Sequence, residues 1–171
     1  GLLTDQGIRV VSFSALNDIE KKQLERYFEQ EIKPLLSTII VGKKQPFPFL
    51  QNREIYAVAV LETRSDKAKI GIIPCASRVF DRLVPVPGRS GYYMLAEELI
   101  LHFLPMVFDK YRVQEKSLIR ITRNADIDAD SIYDEDLNYR EHMEEVVRQR
   151  RKLSPVRLEM TRTLDTGIID R

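Results

Sequence analysis

Tryptophan is absent from this chain of 171 residues, and cysteine and histidine are nearly so: one thiol, Cys75, and two imidazoles, His102 and His142. A lone thiol cannot close an internal disulfide, and one cysteine with two histidines does not make a structural zinc set. No apolar run approaches the roughly 18 to 20 residues needed to span a bilayer. The first residues also lack the apolar stretch of a signal peptide. An excess of either charge is missing too: 27 basic groups face 26 acidic ones, for a net charge of +1. Attraction to a polyanion must therefore be local. No glycine-rich phosphate loop, dinucleotide fingerprint or Gly-x-Ser-x-Gly nucleophile turn occurs, and there is no internal repeat or low-complexity tract. These absences lead to the expectation of a soluble, cytoplasmic chain with Cys75 as a buried thiol.

What is present fits one compact domain. Apolar residues make up 43% of the chain and charged residues 31%, enough to bury a sizeable core. Ile8 to Phe13 is β-rich. Asn17-Asp18-Ile19-Glu20 then has the pattern of a capping box, which predicts a helix start. Leu16, Ile19, Leu24, Tyr27, Phe28 and Ile32 fall near helical spacing and predict one apolar stripe, closed by Pro34. Leu36 to Val41 reads as a short strand, and Pro46-Phe47-Pro48-Phe49 excludes regular helix from the loop that follows. Ile55 to Leu61 is apolar throughout, as in a strand buried on both faces, with Lys69 to Ile73 as its hairpin partner. Pro74, Pro85, Pro87, Gly88 and Gly91 predict an irregular connection. Tyr92 to Val107 reads as a second helix, ended or kinked at Pro105. Ser117 to Arg123 and Val156 to Thr161 are strand-like, with a third helix, Asp134 to Lys152, between them. The expected fold is α+β, with helices packed on a mixed, largely antiparallel sheet.

Few constellations could carry chemistry. Asp126, Asp128 and Asp130 copy the opening of a calcium-binding loop, but Ser131 stands where glycine is required and Leu137 where a bidentate glutamate should close the shell. The aspartates instead suit the N-terminal approach to a helix, where the dipole favours negative charge. Arg148, Arg150, Arg151 and Lys152 crowd the end of that helix. They read either as dipole complements or as a polyanion-facing patch, since guanidinium groups grip phosphate in a bidentate way. Arg123 shares a strand face with Ile119 and Ile121, which suggests an ion pair to Asp126 or Asp128, or alternatively an inward-pointing phosphate ligand. His102 and His142 have no nucleophile or metal-ligand partner at a recognisable spacing, so packing or surface roles suit them better than catalysis. Two other classes stay open: a nucleic-acid or polyanion-binding module without catalysis, which needs a contiguous basic face, and a small enzyme with a pocket around His102 or Cys75.

Five segments in order resemble the middle (head) domain of bacterial class-one polyphosphate kinases. They are Tyr27-Phe28 with Ile32-x-Pro34-x-Leu36; Pro46-Phe47-Pro48-Phe49-Leu50-x-Asn52 leading into Tyr56-Ala57-Val58-Ala59-Val60; Ile73-Pro74 with Arg82-Leu83-Val84-Pro85-Val86-Pro87; Arg120-Ile121-Thr122-Arg123-Asn124-Ala125-Asp126-Ile127; and Arg150-Arg151-Lys152 running into Pro155-Val156-Arg157-Leu158-Glu159. At Ser37 to Ile39 the chain departs from the family's more usual Thr-Pro-Leu. Gly1 in place of methionine reads as a tag remnant, and the resemblance implies a head domain over 2–166, with 167–171 as the start of a linker to absent C-terminal catalytic domains. It implies a parent enzyme, a cytoplasmic phosphoprotein, that reversibly moves the terminal phosphate of ATP onto polyphosphate through a phosphohistidine, using ATP and magnesium. The family's catalytic histidines lie in domains not found here, so the resemblance gives this piece no catalytic residue, metal or cofactor of its own. It implies instead a scaffold that works with the N-terminal and C-terminal domains of the same enzyme, contributes to a dimer and walls part of the polyphosphate path. Arg123, Arg150 and Arg151 are then the candidates to guide polyphosphate. Nucleic acid is not an expected partner, no segment is expected to cross a membrane, and peripheral membrane association of the parent is compatible.

Overall fold

In the computed structural model the described residues are 2–3, 7–65, 68–75, 79–123, 132–149, 156–160 and 169–170. The chain runs β1 (Leu2–Leu3), β2 (Arg9–Val10), a 3-10 turn at Phe13–Ala15, then α1 (Asp18–Tyr27), which continues through a π turn (Phe28–Ile32) and a 3-10 turn (Lys33–Leu35). There follow β3 (Ile39–Val41), β4 (Ile55–Glu62), β5 (Lys69–Pro74), β6 (Leu83–Pro85), β7 (Tyr92–Leu95), α2 (Ala96–His102), α3 (Leu104–Val107), β8 (Arg112–Arg123), α4 (Ile132–Gln149), β9 (Val156–Met160) and β10 (Ile169–Asp170). A six-stranded sheet has the order β10-β9-β8-β4-β5-β3, and a smaller sheet has the order β1-β2-β7-β6. In the larger sheet only β8 and β9 run parallel, bracketing α4 in the chain. The fold is α+β with mixed, largely antiparallel sheets.

The central strand β4 shows why its apolar run is unbroken. Successive side chains of a strand point to opposite faces, and both faces of β4 are covered. Ala57, Ala59 and Leu61 join Ile73, Leu118, Leu24, Phe28, Leu99 and Phe103 in one buried cluster. Tyr56, Val58 and Val60 join Ile70, Ile72, Ile119 and Ile121 with Met143, Val146 and Val147 of α4 in a second. The sheet therefore lies between α1 and α2 on one side and α4 on the other.

Small side chains on the first face make room for aromatic ones. Ala57 and Ala59 lie there, and Gly71 on β5 is the register partner of Ala59. A Cβ at Gly71 would stand 2.7 Å from Cζ of Phe108 and 3.0 Å from Leu61 Cδ1. Phe108 is itself buried, so its ring has little room to retreat. Gly71→Ala is expected to destabilise the protein by about 1–3 kcal/mol through overpacking. In a Phe108→Leu background the same change should cost less, a coupling that urea titrations of the four proteins would measure.

Helix α1 begins as its sequence predicts. The Glu20 backbone N–H donates to Asn17 Oδ1 at 2.8 Å, and the Asn17 N–H donates to Glu20 Oε1 at 2.9 Å. The predicted stripe is buried at Leu16, Leu24, Phe28 and Ile32, with Tyr27 packed partly against the core, but it fails at Ile19. Ile19 is 70% exposed, whereas Leu16, Glu20, Leu24, Phe28 and Ile32 are buried. The capping box turns Glu20 inward, and the row then repeats every four residues. That spacing overshoots a turn of 3.6 residues. The wider i→i+5 turn at Phe28–Ile32 absorbs the overshoot and keeps Ile32 on the buried side.

The predicted second helix is corrected at its start. Tyr92–Leu95 is strand, parallel to β2 and antiparallel to β6; four residues beside a longer apolar run carry no period of their own. Helix α2 ends at Phe103, whose backbone (φ −95°, ψ 16°) leaves the helical region. Pro105 lies in the first turn of α3, where a missing N–H costs no helical hydrogen bond. Strand β8 starts five residues before the predicted Ser117, because β4 offers a partner as far as Glu62.

Candidate functional site

Arg123 closes β8, and its register partner on β9 is Met160. The Arg123 side chain, together with Asp126, Asp128, Arg150 and Arg151, lies outside the described residues. The register adds a row that the sequence did not suggest: Ile55, Arg120, Arg157 and Asp170 are successive partners across four strands.

Two carboxylates missed by the sequence reading hold the residues on either side of β6 against the helices. Glu97 of α2 is 5% exposed and takes a forked contact from Arg82, with Nη2 2.7 Å and Nε 3.1 Å from Oε2 and Nε 3.2 Å from Oε1. That hydrogen bonding raises the affinity of Arg82 for its proton. Glu20 is likewise 5% exposed; its Oε2 meets Arg89 Nε at 2.6 Å while Oε1 caps α1. Removing either arginine strands a carboxylate in a poorly solvated place, whereas the arginines themselves keep access to water. Both Arg89 and Arg9 lie over the ring of Tyr92, each guanidinium carbon 5.4 Å from the centroid. The sequence signal for Glu97 was a charged residue at a helix position otherwise given to core side chains, and for Glu20 it was the capping box.

Neither histidine has a catalytic setting. The His102 ring stacks on Phe13 with centroids 3.6 Å apart, and Phe103 meets it edge-on. Burial and the ammonium groups of Lys116 and Lys21 lower its pKa. His142, on α4, has a buried Nε2 without a partner among the described residues, and burial lowers its pKa against the pull of Glu145. The Cys75 thiol is pushed up to about 12, by burial first and then by the Glu97 carboxylate.

The outer side of α4 carries a depression of about 390 Å³ lined by Lys43, Arg140, Glu144 and Arg148 among others. Its charges are largely consumed internally. Arg140 donates to the Ala68 carbonyl and lies 3.8 Å from Glu144; Arg148 reaches Glu144 at 3.1 Å and Gln114 at 2.7 Å. Among the described residues no three His, Cys, Asp or Glu side chains converge as a metal site. Of those residues, no helix is long and apolar enough to cross a membrane. The described arrangement binds its own charges together and offers no pairing of nucleophile with base.

Comparison with known proteins supplies the rest. The family described as "Polyphosphate kinase middle domain" matches residues 19–171. Polyphosphate kinase of Mycobacterium avium is 30% identical over 178 residues, which cover 98% of this chain and 24% of that protein. The Mycobacterium marinum enzyme of the same name is 32% identical over 178 residues, with the same shares. The chain thus spans about a quarter of the length of the curated relatives it matches. A crystal structure of polyphosphate kinase from Porphyromonas gingivalis shares the fold, with a TM-score of 0.55 and 21% identity over 67% of this chain and 22% of that one.

Proposed function

The chain belongs to the polyphosphate kinase middle-domain family, and on that premise we propose that it serves as the head domain of a cytoplasmic polyphosphate kinase, a scaffold without catalysis of its own. In this reading residues 2–166 form the domain and 167–171 lead toward catalytic domains. The domain contributes to a dimer and to the wall of the polyphosphate path. Arg123, Arg150 and Arg151 guide the polyanion, and ATP and magnesium are handled elsewhere in the parent. One observation carries the scaffold role: the buried carboxylates Glu20 and Glu97 are each committed to an arginine. Phosphoryl transfer requires positioned donors and metal-held charge around the reacting phosphate, whereas these acids brace the fold.

The purified chain, given ATP, magnesium and polyphosphate, is expected to show no phosphotransfer in either direction. Measurable turnover would overturn the scaffold reading. In the full-length parent, reversing the charge of Arg123, Arg150 and Arg151 together should weaken polyphosphate affinity and flatten its salt dependence. Unchanged affinity and slope would remove those arginines from the path.

A further inference from the structure

The depression on the outer side of α4 is built from two rows of that helix and from the chain opposite. Residues four apart on a helix are neighbours on its surface, so Arg140, Glu144 and Arg148 make one row and Glu141, Glu145 and Gln149 the next. Lys43, from the loop after β3, and Ala68 complete the wall. The first row is paired within itself, with Glu144 receiving both arginines, and in the second Gln149 donates to Glu145 at 3.1 Å. Three groups are left over. Arg140 is 4% exposed, and a guanidinium carries five N–H donors. Among the described residues one of these reaches the Ala68 carbonyl, the contact to Glu144 at 3.8 Å is too long for a hydrogen bond, and the buried Nε finds no acceptor. Lys43 and Glu141 are exposed and make no ion pair among the described residues. We propose that the depression binds a small zwitterion of the amino-acid class, its carboxylate held by Arg140 and Lys43 and its ammonium by Glu141 and Glu145.

The chemistry of the wall points to a ligand with both charges. A buried guanidinium with unused donors is costly unless an acceptor reaches it, and a carboxylate matches its planar fork. A ligand of one sign fits poorly, because Lys43, Arg140 and Arg148 stand beside Glu141, Glu144 and Glu145. A polyanion that met Arg140 would be repelled by Glu141 and Glu145. A simple cation drawn to those glutamates would be repelled by Lys43 and would leave Arg140 as it is. A zwitterion satisfies the arginine at one end and the free carboxylates at the other. The volume of about 390 Å³ suits such a molecule, since small-molecule sites occupy about 300–1,000 Å³.

The proposal does not depend on the parent's activity, and the chain itself can test it. Glycine, β-alanine and γ-aminobutyrate, in which the two charges stand progressively further apart, would be titrated into isotope-labelled protein while the Arg140 Nε–H and Ala68 amide signals are followed. Acetate, methylammonium and inorganic phosphate serve as probes of one sign. At least one zwitterion should shift both signals saturably, with a Kd at least tenfold below that of every probe of one sign. Lys43→Met and Glu141→Gln, both at exposed positions where the fold is unaffected, should each weaken that zwitterion about tenfold, whereas Lys22→Met on α1 should leave it unchanged. Absence of a saturable shift with all three zwitterions would overturn the proposal. So would binding of acetate or phosphate as tight as that of the best zwitterion, or affinity that survives both the Lys43 and the Glu141 variants.

Discussion

Phe28→Ala is expected to lower the stability of the protein by about 3–5 kcal/mol, the range for removing a large aromatic side chain from a core. Phe28 is fully buried where α1 passes into its π turn. Its ring lies 5.3 Å from that of Phe103, which in turn meets Phe13 at 5.5 Å. The side chain thus ties the first helix to the end of the second, above the small residues of β4. Alanine would leave a void beside side chains that belong to regular elements and cannot close over it, so the cavity adds to the lost transfer energy. Domains of this kind have only about 5–15 kcal/mol in hand, so a urea titration should show a large fall in midpoint. Phe28→Leu, which keeps much of the volume, should cost under half as much. Equal losses from the two variants would mean that the aromatic shape, and not the filled space, holds the helices together.

Cys75 should react with a thiol-directed alkylating reagent about a thousandfold more slowly than an unhindered cysteine at pH 8. Reactivity belongs to the thiolate, and the thiol is moved from 9.0 to about 12, so the thiolate is scarcer by about three powers of ten. Burial dominates, the nearby Glu97 carboxylate adds to it, and a backbone hydrogen bond opposes both. Stability follows the same shift. The unfolded chain releases this proton near pH 9 while the folded chain keeps it until about 12. The contribution is therefore whole below pH 9 and declines as pH climbs from 9 toward 12. In Glu97→Gln the alkylation rate of folded protein should rise, because one source of negative potential is gone. The sequence led to the expectation of a buried thiol, whereas Cys75 is half-buried; a rate close to that of a small free thiol would contradict its raised pKa.

The parts of the fold legible in the sequence were those in which local pattern and tertiary demand agree. Asn17 and Glu20 announce a helix start in a few residues, and both hydrogen bonds form. Ile55 to Leu61 has no alternation because helices cover both faces of β4. What escaped depended on distant partners. The pairing of Tyr92 and Tyr93 is with Arg9 and Val10, a parallel contact of two residues that no periodicity could disclose. Ile19 satisfies helical spacing as well as its neighbours, yet the inward turn of Glu20 toward Arg89 decides which residue is buried.

The candidate site was legible only as a family resemblance. Arg150 and Arg151 stand out in sequence because they crowd the end of the third predicted helix, and Arg123 because it shares a strand face with Ile119 and Ile121.

The double engagement of Glu20 makes two remote stretches of chain open and close together. One oxygen fastens the first turn of α1 and the other receives Arg89 from the connection before β7. If that connection lifts away, the carboxylate loses its counter-ion and is drawn toward water, loosening the helix start as it goes. Local fluctuations at the two places are thereby fused into a single cooperative unit, and the amide protons of both should exchange with solvent in step.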